Sequence, residues 1–362
     1  MKLIVDAHAD LAWNMLTYGR DYTRPAHETR RLETGSKTVE QNGETLLGLP
    51  DYRRGRVAIV FSTLYATPIR FKSHETESQV YRNFDEAYRL CREQGLLYRK
   101  LADSQPNDFR IILSTSDLDR HLEEWQSSKD VQHPLGLVFL MEGADCIRGP
   151  HELREWHELG VRIIGLAWVG TRYSGGWREP GPLTDEGRAL LKAMAEYNFT
   201  LDLSHMDESA ALEALDLYAG PIVGTHINCL SLVPGFASNR LFSDRALRGI
   251  VERDGVIGVV PFNSYLKAGW TVKSSRREEV TLETFAAHID HICQLAGDSL
   301  HVGIGSDFDG GFGLQSTPPG IDTIADLQNL TPILAARGYS ETDIGNILGG
   351  NWLNRLKRDL PS

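Results

Sequence analysis

The sequence predicts a (β/α)₈ barrel, and three observations lead to this fold class. Short, almost continuously apolar runs recur along the chain, and helical patterns lie between most of them. Such runs are typical of parallel strands covered on both faces, and a repeated β-then-α alternation is the pattern of a barrel. The length of 362 residues is also usual for one such unit. A doubly wound open sheet is the alternative, although it usually has fewer strands.

The apolar runs define eight predicted strands, in chain order Lys2–Ala7, Arg56–Ser62, Gly136–Met141, Val161–Ala167, Phe199–Ser204, Pro221–Thr225, Val256–Pro261 and Leu300–Gly305. The predicted helices are Ser78–Ala102, Pro150–Glu158, Asp185–Tyr197, Asp207–Tyr218, Ser243–Asp254, Thr281–Leu295 and Thr323–Arg337. Several of these helices have polar residues at their starts that are suited to capping, such as Thr184 and Ser243.

Two segments depart from a minimal barrel. Residues Thr17 to Asp51 are rich in Arg, Gly and Thr, and we expect a long loop there after the first strand. Arg110–Leu113 predicts an additional strand, and a helix around Asp117–Ser127 precedes the third barrel strand. No change of composition suggests a linker, so residues 1–362 are predicted to form one domain.

Composition excludes several classes of protein. The formal net charge of -11 argues against nucleic acid as a partner, because binding a phosphate backbone needs clustered Lys and Arg. The four cysteines lack CxxC spacing, which predicts neither a zinc ribbon nor a disulfide framework, and we expect buried free thiols. The N-terminus lacks the apolar core of a signal peptide, and no stretch is apolar enough to span a membrane. We therefore expect a cytoplasmic protein without a membrane partner.

Metal-compatible side chains stand at the ends of five predicted strands. They are His8 and Asp10 after the first strand, Glu142 after the third, His205 after the fifth, His226 after the sixth and Asp307 after the eighth. The carboxyl ends of barrel strands meet on one rim, where the active sites of barrel enzymes are built. Imidazoles and carboxylates crowded together there need a neutralising cation. This donor set suits zinc or a similar first-row ion.

The number of candidate ligands favours two ions. A single catalytic zinc takes about three protein ligands, whereas two ions about 3.5–4 Å apart share a bridging group. His8 and Asp10 point to the same side of a strand and can reach one ion together, and Glu142 is the candidate bridge. Taken singly, each residue could instead be a hydrogen-bonded rim histidine or a carboxylate that caps a turn. The remaining histidines are interpreted as non-ligands: His27, His74, His121, His133, His151, His157, His288, His291 and His301.

Several stretches of the sequence resemble a known family. They are DAHADLAW, MEGAD, GVRIIGLAW, LDLSH, GTH followed by NRLFSDRALRGI, IGSDFDG and GGNWLNRL, in this order over almost the whole chain. Together they resemble the membrane (renal-type) dipeptidases of the metal-dependent amidohydrolase superfamily, with this chain as a divergent, bacterial-type member. The resemblance implies a (β/α)₈ barrel with two zinc ions.

The resemblance also implies roles for the matching positions. One zinc would be held by His8, Asp10 and Asp307, the other by His205 and His226, and Glu142 would bridge both. Arg240 would bind the terminal carboxylate of the substrate, because a guanidinium binds a carboxylate through two parallel hydrogen bonds. A surface arginine beside a helix is the alternative for this position.

One position departs from the family pattern. Strand four of such enzymes usually ends in a histidine that contacts the substrate, whereas Trp168 stands at the matching position here. An indole N–H donates one hydrogen bond but carries no proton between groups. Arg172 and Tyr173, in the loop that follows, are the predicted replacements. Trp168 also adds flat apolar area that would suit a bulkier substrate group.

These observations lead to a functional hypothesis: hydrolysis of the amide bond in a dipeptide or N-acyl amino acid by a metal-bridging hydroxide. Asp307 is the candidate general base. Asp202 is interpreted either as a residue that orients a metal ligand or as a polar group with a local partner. A lactonase or β-lactam hydrolase is the first alternative, since fold alone does not decide the reaction. A non-catalytic metal-binding barrel that recognises a ligand or partner is the second. A homodimer is also expected.

Overall fold

The computed structural model describes residues 1–127 and 132–362. Its centre is a nearly closed barrel of eight parallel strands, numbered β1 to β8 in chain order: Ile4–Ala9, Val57–Tyr65, Leu135–Glu142, Val161–Gly165, Thr200–Asp202, Ile222–Val223, Ile257–Val259 and Val302–Ile304. Parallel ladders run from β7 through β8 and β1 to β6, and a parallel bridge between Gly224 and Ile257 joins β6 to β7. The barrel prediction is confirmed, and each strand overlaps its predicted segment.

Helices connect the strands. Their bounds are Leu11–Tyr18, Ala26–Glu33, Lys37–Asn42, Leu49–Arg54, Phe84–Ser104, Thr115–Ser127, Leu153–Leu159, Asp185–Glu196, Glu208–Leu217, Asp244–Glu252, Asn263–Leu266, Leu282–Ala296, Leu330–Ala336, Glu341–Gly345 and Asn351–Asp359. The predicted caps form, because the Thr184 side chain accepts a hydrogen bond from the Gly187 N–H and the Ser243 side chain accepts one from the Ala246 N–H. No helix in the described part of the chain is long and apolar enough to cross a membrane.

The additional strand is also confirmed. Phe109–Ile111 pairs in parallel with the start of β3, outside the barrel itself, and Thr115–Ser127 forms the predicted helix after it. Trp125 of this helix is buried and donates a hydrogen bond from its indole to the Pro134 carbonyl at 2.9 Å. Leu118, Leu122 and Trp125 of the helix belong to the same buried apolar cluster as Val138 and Leu140 of β3.

The loop predicted for residues 17–51 is wrong in detail, because the segment holds the short helices Ala26–Glu33, Lys37–Asn42 and Leu49–Arg54. Each has at most eight residues, too few for an apolar periodicity to show in the sequence. Side-chain hydrogen bonds stabilise the first turns of two of them. The Ser36 side chain accepts a hydrogen bond from Val39 N, and buried Asp51 accepts one from Ala26 N at 2.7 Å.

A second excursion follows β2, and sequence patterns did not indicate it. Two-residue strands Thr67–Pro68 and Val80–Tyr81 pair in parallel and enclose the residues between them. We refer to residues 67–81 as the 67–81 segment. It continues from the carboxyl end of β2, and several of its residues line the candidate site described below.

The C-terminal motif GGNWLNRL anchors the last helix to the barrel. Trp352 is fully buried, packs edge-on against Phe61 and donates a hydrogen bond to the Ile304 carbonyl at 3.1 Å. Asn351 donates to the carbonyls of Ser299 and Val302. These contacts hold the last helix against β8.

The cysteine prediction is half wrong. Cys91 and Cys146 form a disulfide with their Cα atoms 6.2 Å apart, whereas Cys229 and Cys293 are free and buried as expected. The paired cysteines are 55 residues apart in sequence. They come together because the long helix Phe84–Ser104 packs against the turn that follows β3.

Candidate metal centre

The six predicted ligands all lie at the carboxyl ends of the barrel strands. Each is at most 8% exposed. His8 lies within β1, Glu142 is the last residue of β3, and the others follow β1, β5, β6 and β8 closely: Asp10, His205, His226 and Asp307. Residues from five strands therefore converge on one rim of the barrel.

The distances place Glu142 between two groups of side chains. Its Oε2 atom lies 3.6 Å from His8 Nε2, which is in turn 3.7 Å from Asp307 Oδ1 and 3.9 Å from Asp10 Oδ1. Its Oε1 atom lies 2.8 Å from His205 Nε2 and 3.5 Å from His226 Nε2. The two carboxylate oxygens of Glu142 thus face different ligand sets, as a bridging carboxylate requires.

The polar atoms of this cluster fit divalent ions. Three subsets of the six have ligand atoms within 4.8 Å of one another: His8, His226 and Asp307; Glu142, His205 and His226; and His8, Asp10 and Glu142. Neither ring nitrogen of His8 has a hydrogen-bond partner among the described residues, although this side chain is fully buried. Buried polar atoms rarely lack partners, so unpaired imidazole nitrogens surrounded by carboxylates indicate a site for a cation.

Burial sets the protonation behaviour of the cluster. Desolvation lowers the pKa of His8 to about 3 and holds the pKa values of His205 and His226 well below their usual range, so the imidazole lone pairs are available. Desolvation, reinforced by the charge of Asp10, raises the pKa values of Glu142 and Asp307 well above their usual range. A bound cation would stabilise the ionised form of these two buried carboxylates.

A second layer of side chains forms hydrogen bonds with the candidate ligands. Asp202 accepts hydrogen bonds from Thr225 N at 2.8 Å and from the Thr225 hydroxyl, and Thr225 Oγ1 lies 2.8 Å from His226 Nδ1. Thr63 donates in the same way to Asp10 Oδ1. Both interpretations of Asp202 therefore apply. It binds a local partner, Thr225, and Thr225 in turn contacts the candidate ligand His226.

The backbone is strained at two of the candidate ligands. His205 and Asp307 have φ angles of 68° and 55°, in the left-handed region that non-glycine residues rarely adopt. A glycine is needed at position 310, because a Cβ atom there would lie 2.0 Å from Asp307 Oδ1. The chain therefore accepts an unfavourable conformation where it directs these side chains inward.

Arg240 is buried beside the cluster and is not a surface residue. It is 1% exposed, and its guanidinium lies 5.1 Å from the centre of the Tyr265 ring. Nη2 donates to the His226 carbonyl at 2.8 Å, whereas Nε and Nη1 have no partner among the described residues. The guanidinium therefore has donors left for an anionic ligand.

A cavity of about 290 Å³ opens onto the cluster. Trp168 is part of its wall, and the centre of its indole lies 5.0 Å from Tyr65, 6.4 Å from His205 and 6.5 Å from Trp177. A larger cavity of about 510 Å³ lies between Glu208–Leu217 and Asp244–Glu252 and is not lined by the ligands. Four of the candidate ligands line the smaller, aromatic-walled cavity: Asp10, Glu142, His205 and Asp307.

Arg172 and Tyr173 are not brought to this cavity, so their predicted role as replacements at the site has no support. The Tyr173 ring is buried and its hydroxyl donates to the Ile147 carbonyl at 2.5 Å. The Arg172 guanidinium donates to the Arg148 carbonyl and lies over Phe84. Both side chains therefore bind the outer part of the loop after β3.

Sequence reasoning missed other cavity residues. Trp177 ends the stretch VGTRYSGGW, which also contains Arg172 and Tyr173, so its aromatic side chain is a signal visible in the sequence. Tyr265 and Phe262 follow β7, whose end carries no metal-compatible residue. His74 and Glu77 come from the 67–81 segment and also line the cavity. No pattern in the sequence indicated that this segment reaches the site.

Comparisons with known proteins agree with this geometry. The family model of the membrane dipeptidases, peptidase family M19, matches residues 1–359. An uncharacterized protein from the pqqA 5′ region of Klebsiella pneumoniae is 30% identical over 275 residues, which are 73% of this chain and 94% of that protein. The dipeptidase AclJ of Aspergillus oryzae is 28% identical over 313 residues, 85% of this chain and 68% of that protein.

Solved structures are similar over the whole chain. A metallopeptidase from Rhodobacter sphaeroides, bound to a phosphinate mimic of the dipeptide L-Ala-D-Ala, superimposes with a TM-score of 0.76 at 25% identity and covers 99% of this chain and 100% of its own. These comparisons favour neither a lactonase nor a non-catalytic barrel. With a family match over 359 residues and a ligand cluster that fits divalent ions, the chain belongs to the membrane dipeptidase family, peptidase family M19, and is a metallo-dipeptidase.

Proposed function

We propose that the protein hydrolyses the amide bond of dipeptides or related N-acyl amino acids with two divalent ions, for which zinc is the expected metal. One ion would be held by His8, Asp10 and Asp307, the other by His205 and His226, with Glu142 shared between them. The observation that carries this proposal is the position of Glu142, whose two oxygens face the two ligand sets separately. When bound, such ions polarise a carbonyl and lower the pKa of water.

Asp307 is the proposed general base. Its carboxylate lines the cavity next to His8, and desolvation raises its pKa above the usual range, which suits a group that accepts and returns a proton. It would take the proton of the attacking water and deliver it to the amine that leaves when the amide bond breaks.

Arg240 is the proposed binding residue for the substrate carboxylate. Its unpaired Nε and Nη1 donors belong to a buried guanidinium, which can form two parallel hydrogen bonds with a carboxylate. This contact would orient the substrate so that its scissile carbonyl meets the metal ligands. Trp168 would pack against the substrate through its ring face. The Rhodobacter sphaeroides relative, bound to a mimic of L-Ala-D-Ala, supports a small dipeptide as substrate.

A metal-reconstitution experiment tests the proposal. The purified protein is stripped with a chelator and reloaded with zinc, cobalt or manganese, and the metal content is measured alongside turnover. The substrates are L,L- and L,D-dipeptides, a lactone and a β-lactam. We expect about two ions per chain and turnover of dipeptides. Failure to bind any of the ions, or cleavage of the lactone alone, would contradict it. A cytoplasmic location and a homodimer remain predictions.

A further inference from the structure

Asn14 is a fully buried asparagine on the helix Leu11–Tyr18, which begins directly after the candidate ligand Asp10. Burial of an amide is costly unless its polar atoms have hydrogen-bond partners. Two of the partners of Asn14 lie on the segments that carry carboxylates of the metal centre.

The Asn14 amide joins the backbones of these two segments. Its Nδ2 atom donates to the Asp10 carbonyl at 2.9 Å and to the Asp309 carbonyl at 2.9 Å. Asp10 is itself a candidate ligand, and Asp309 stands two residues after the candidate ligand Asp307. The two segments follow β1 and β8, which pair with each other in the barrel. One side chain therefore ties together the two loops whose carboxylates are proposed to hold a single ion.

The orientation of this amide is fixed by its other contacts. Oδ1 accepts hydrogen bonds from Arg20 Nη1 at 3.1 Å and from Asn42 Nδ2 at 2.8 Å. A guanidinium only donates and a backbone carbonyl only accepts, so an exchange of Oδ1 and Nδ2 would break contacts on both sides of the amide. Both donors and both acceptor positions of Asn14 are thus in use. A buried network that is satisfied in this way is rigid.

Asp309 also anchors the loop after β8 through its side chain. This residue is fully buried, and its Oδ1 accepts from Leu46 N at 2.9 Å while its Oδ2 accepts from the Tyr22 hydroxyl at 2.8 Å. Arg20 Nη1 lies 3.0 Å from the same Oδ2. Asp307 and Asp309 have φ angles of 55° and 64°, and such strained backbone persists only where its surroundings impose it. The hydrogen-bond network supplies these surroundings.

From these contacts we propose that Asn14 is a positioning residue that fixes the separation of the Asp10 and Asp307 carboxylates. The inference rests on the proposed function. We call the ion proposed for His8, Asp10 and Asp307 the first ion, and the other proposed ion the second ion. Because its hydrogen-bonding positions are engaged inside the protein, Asn14 acts through the backbone of the two loops and not by contact with an ion or a substrate. The affinity of the first ion depends on Asn14, and the affinity of the second does not.

The dependence has a physical basis. Without Nδ2, the link between the Asp10 and Asp309 carbonyls is broken, and the strained turn that holds Asp307 loses one of its supports. Two carboxylates that are free to separate bind a cation less tightly than two held at a fixed distance, because binding must then order them. Loss of a supporting hydrogen bond behind a metal ligand typically lowers metal affinity by about 10–100-fold.

A metal titration of Asn14→Ala tests this role. The metal-free protein is titrated with zinc against a chromophoric chelator, which gives the affinity of each ion. We expect the first ion to bind about 10–100-fold more weakly and the second to be almost unchanged. Asn14→Asp keeps the shape and the oxygen that faces Arg20 and Asn42 but lacks the donor. It should weaken the same ion, and it provides the test if Asn14→Ala does not fold.

Asn351→Ala is the matched control. Asn351 is also buried, and its Nδ2 atom likewise donates to two backbone carbonyls, those of Ser299 and Val302, at 2.7 and 2.8 Å. These carbonyls lie at the start of β8, at the opposite end of that strand from Asp307. Thermal unfolding should show that both metal-free variants are destabilised, whereas only Asn14→Ala should lose metal affinity. An equal loss of affinity in both variants would mean a general effect of stability and would overturn the proposal.

A double variant identifies the ion that Asn14 serves. His205→Ala is expected to lack the second ion, so the ion that it retains is the first. Addition of Asn14→Ala should lower the affinity for this retained ion by about 10–100-fold. An unchanged affinity in the double variant would show that Asn14 does not position the ligands of the first ion.

These measurements also separate the inference from the proposed function, because they need no turnover. Selective weakening of the first ion in Asn14→Ala, together with an unmodified protein that cleaves no amide, would retain the positioning role and reject the hydrolase. Two ions of unchanged affinity in both Asn14→Ala and Asn14→Asp, together with dipeptide turnover by the unmodified protein, would reject the positioning role alone.

Discussion

The Nε2 atoms of His205 and His226 lie 2.8 Å apart. Glu142 Oε1 lies within 3.5 Å of both nitrogens. Burial keeps both imidazoles neutral, because desolvation holds their pKa values well below the usual range. Two neutral imidazoles and a carboxylate oxygen directed at the same point are the donor set of a transition-metal site.

Removal of one of these imidazoles should therefore remove one ion. For His205→Ala we expect the metal content to fall from about two ions per chain to about one, and turnover to fall by roughly a thousandfold or more. Metal analysis of the purified variant beside a dipeptide assay measures both effects. His27→Ala, which changes an exposed histidine, is the control. Two retained ions together with full turnover would reject the ligand assignment.

Replacement of Arg240 should affect substrate binding more than chemistry. In Arg240→Lys the positive charge remains but the two parallel hydrogen bonds are lost, so KM for alanyl-alanine should rise roughly tenfold or more. The matched substrate is alanyl-alanine amide, which has no carboxylate, and its kinetics should change little. Steady-state assays with both substrates give the comparison. If KM rose equally for the amide, Arg240 would not be the carboxylate-binding residue.

The residues that sequence analysis found share a simple constraint. A continuous apolar run predicts a buried parallel strand, and the carboxyl ends of all strands in a barrel lie on the same rim. His8, Glu142 and Asp307 could therefore be brought together before any coordinates were known. Arg240 needed the family resemblance, because its loop after β6 carries no periodic pattern. The structure adds that this arginine is buried with two donor atoms unpaired.

The residues that sequence analysis missed or misplaced lie on irregular connections. Arg172 and Tyr173 are close to Trp168 in sequence, but the chain reverses between Gly170 and Gly175 and carries both side chains away from the cavity. Glu77 arrives from a segment whose course depends on the pairing of two-residue strands. Side-chain direction in such segments is decided by tertiary contacts, for which neighbouring residues hold no signal.

The hydrogen bonds behind His226 should tune metal affinity. Thr225 links Asp202 to His226 Nδ1 through its hydroxyl. Thr225→Val keeps the shape and removes that link, and we expect metal affinity to weaken by about 10–100-fold. Competition with a chromophoric chelator measures the affinity, and kcat at saturating metal should change less. Thr331→Val, which removes a buried hydroxyl without a hydrogen-bond partner in the described chain, is the control. Unchanged affinity in Thr225→Val would show that Asp202 and Thr225 serve the fold alone.

A buried histidine far from the cavity should make stability depend on pH. Desolvation lowers the pKa of His121 to about 4. Between about pH 6.5 and pH 4 the unfolded chain binds a proton there that the folded chain does not, so stability decreases as pH falls through this window. Across this window, the free energy of unfolding should fall by at most about 3 kcal/mol. Urea unfolding of the wild type and His121→Gln at several pH values isolates it, with His27→Gln as the exposed control. Parallel stability curves for the wild type and His121→Gln would show that His121 is protonated in the folded protein as readily as in the unfolded chain.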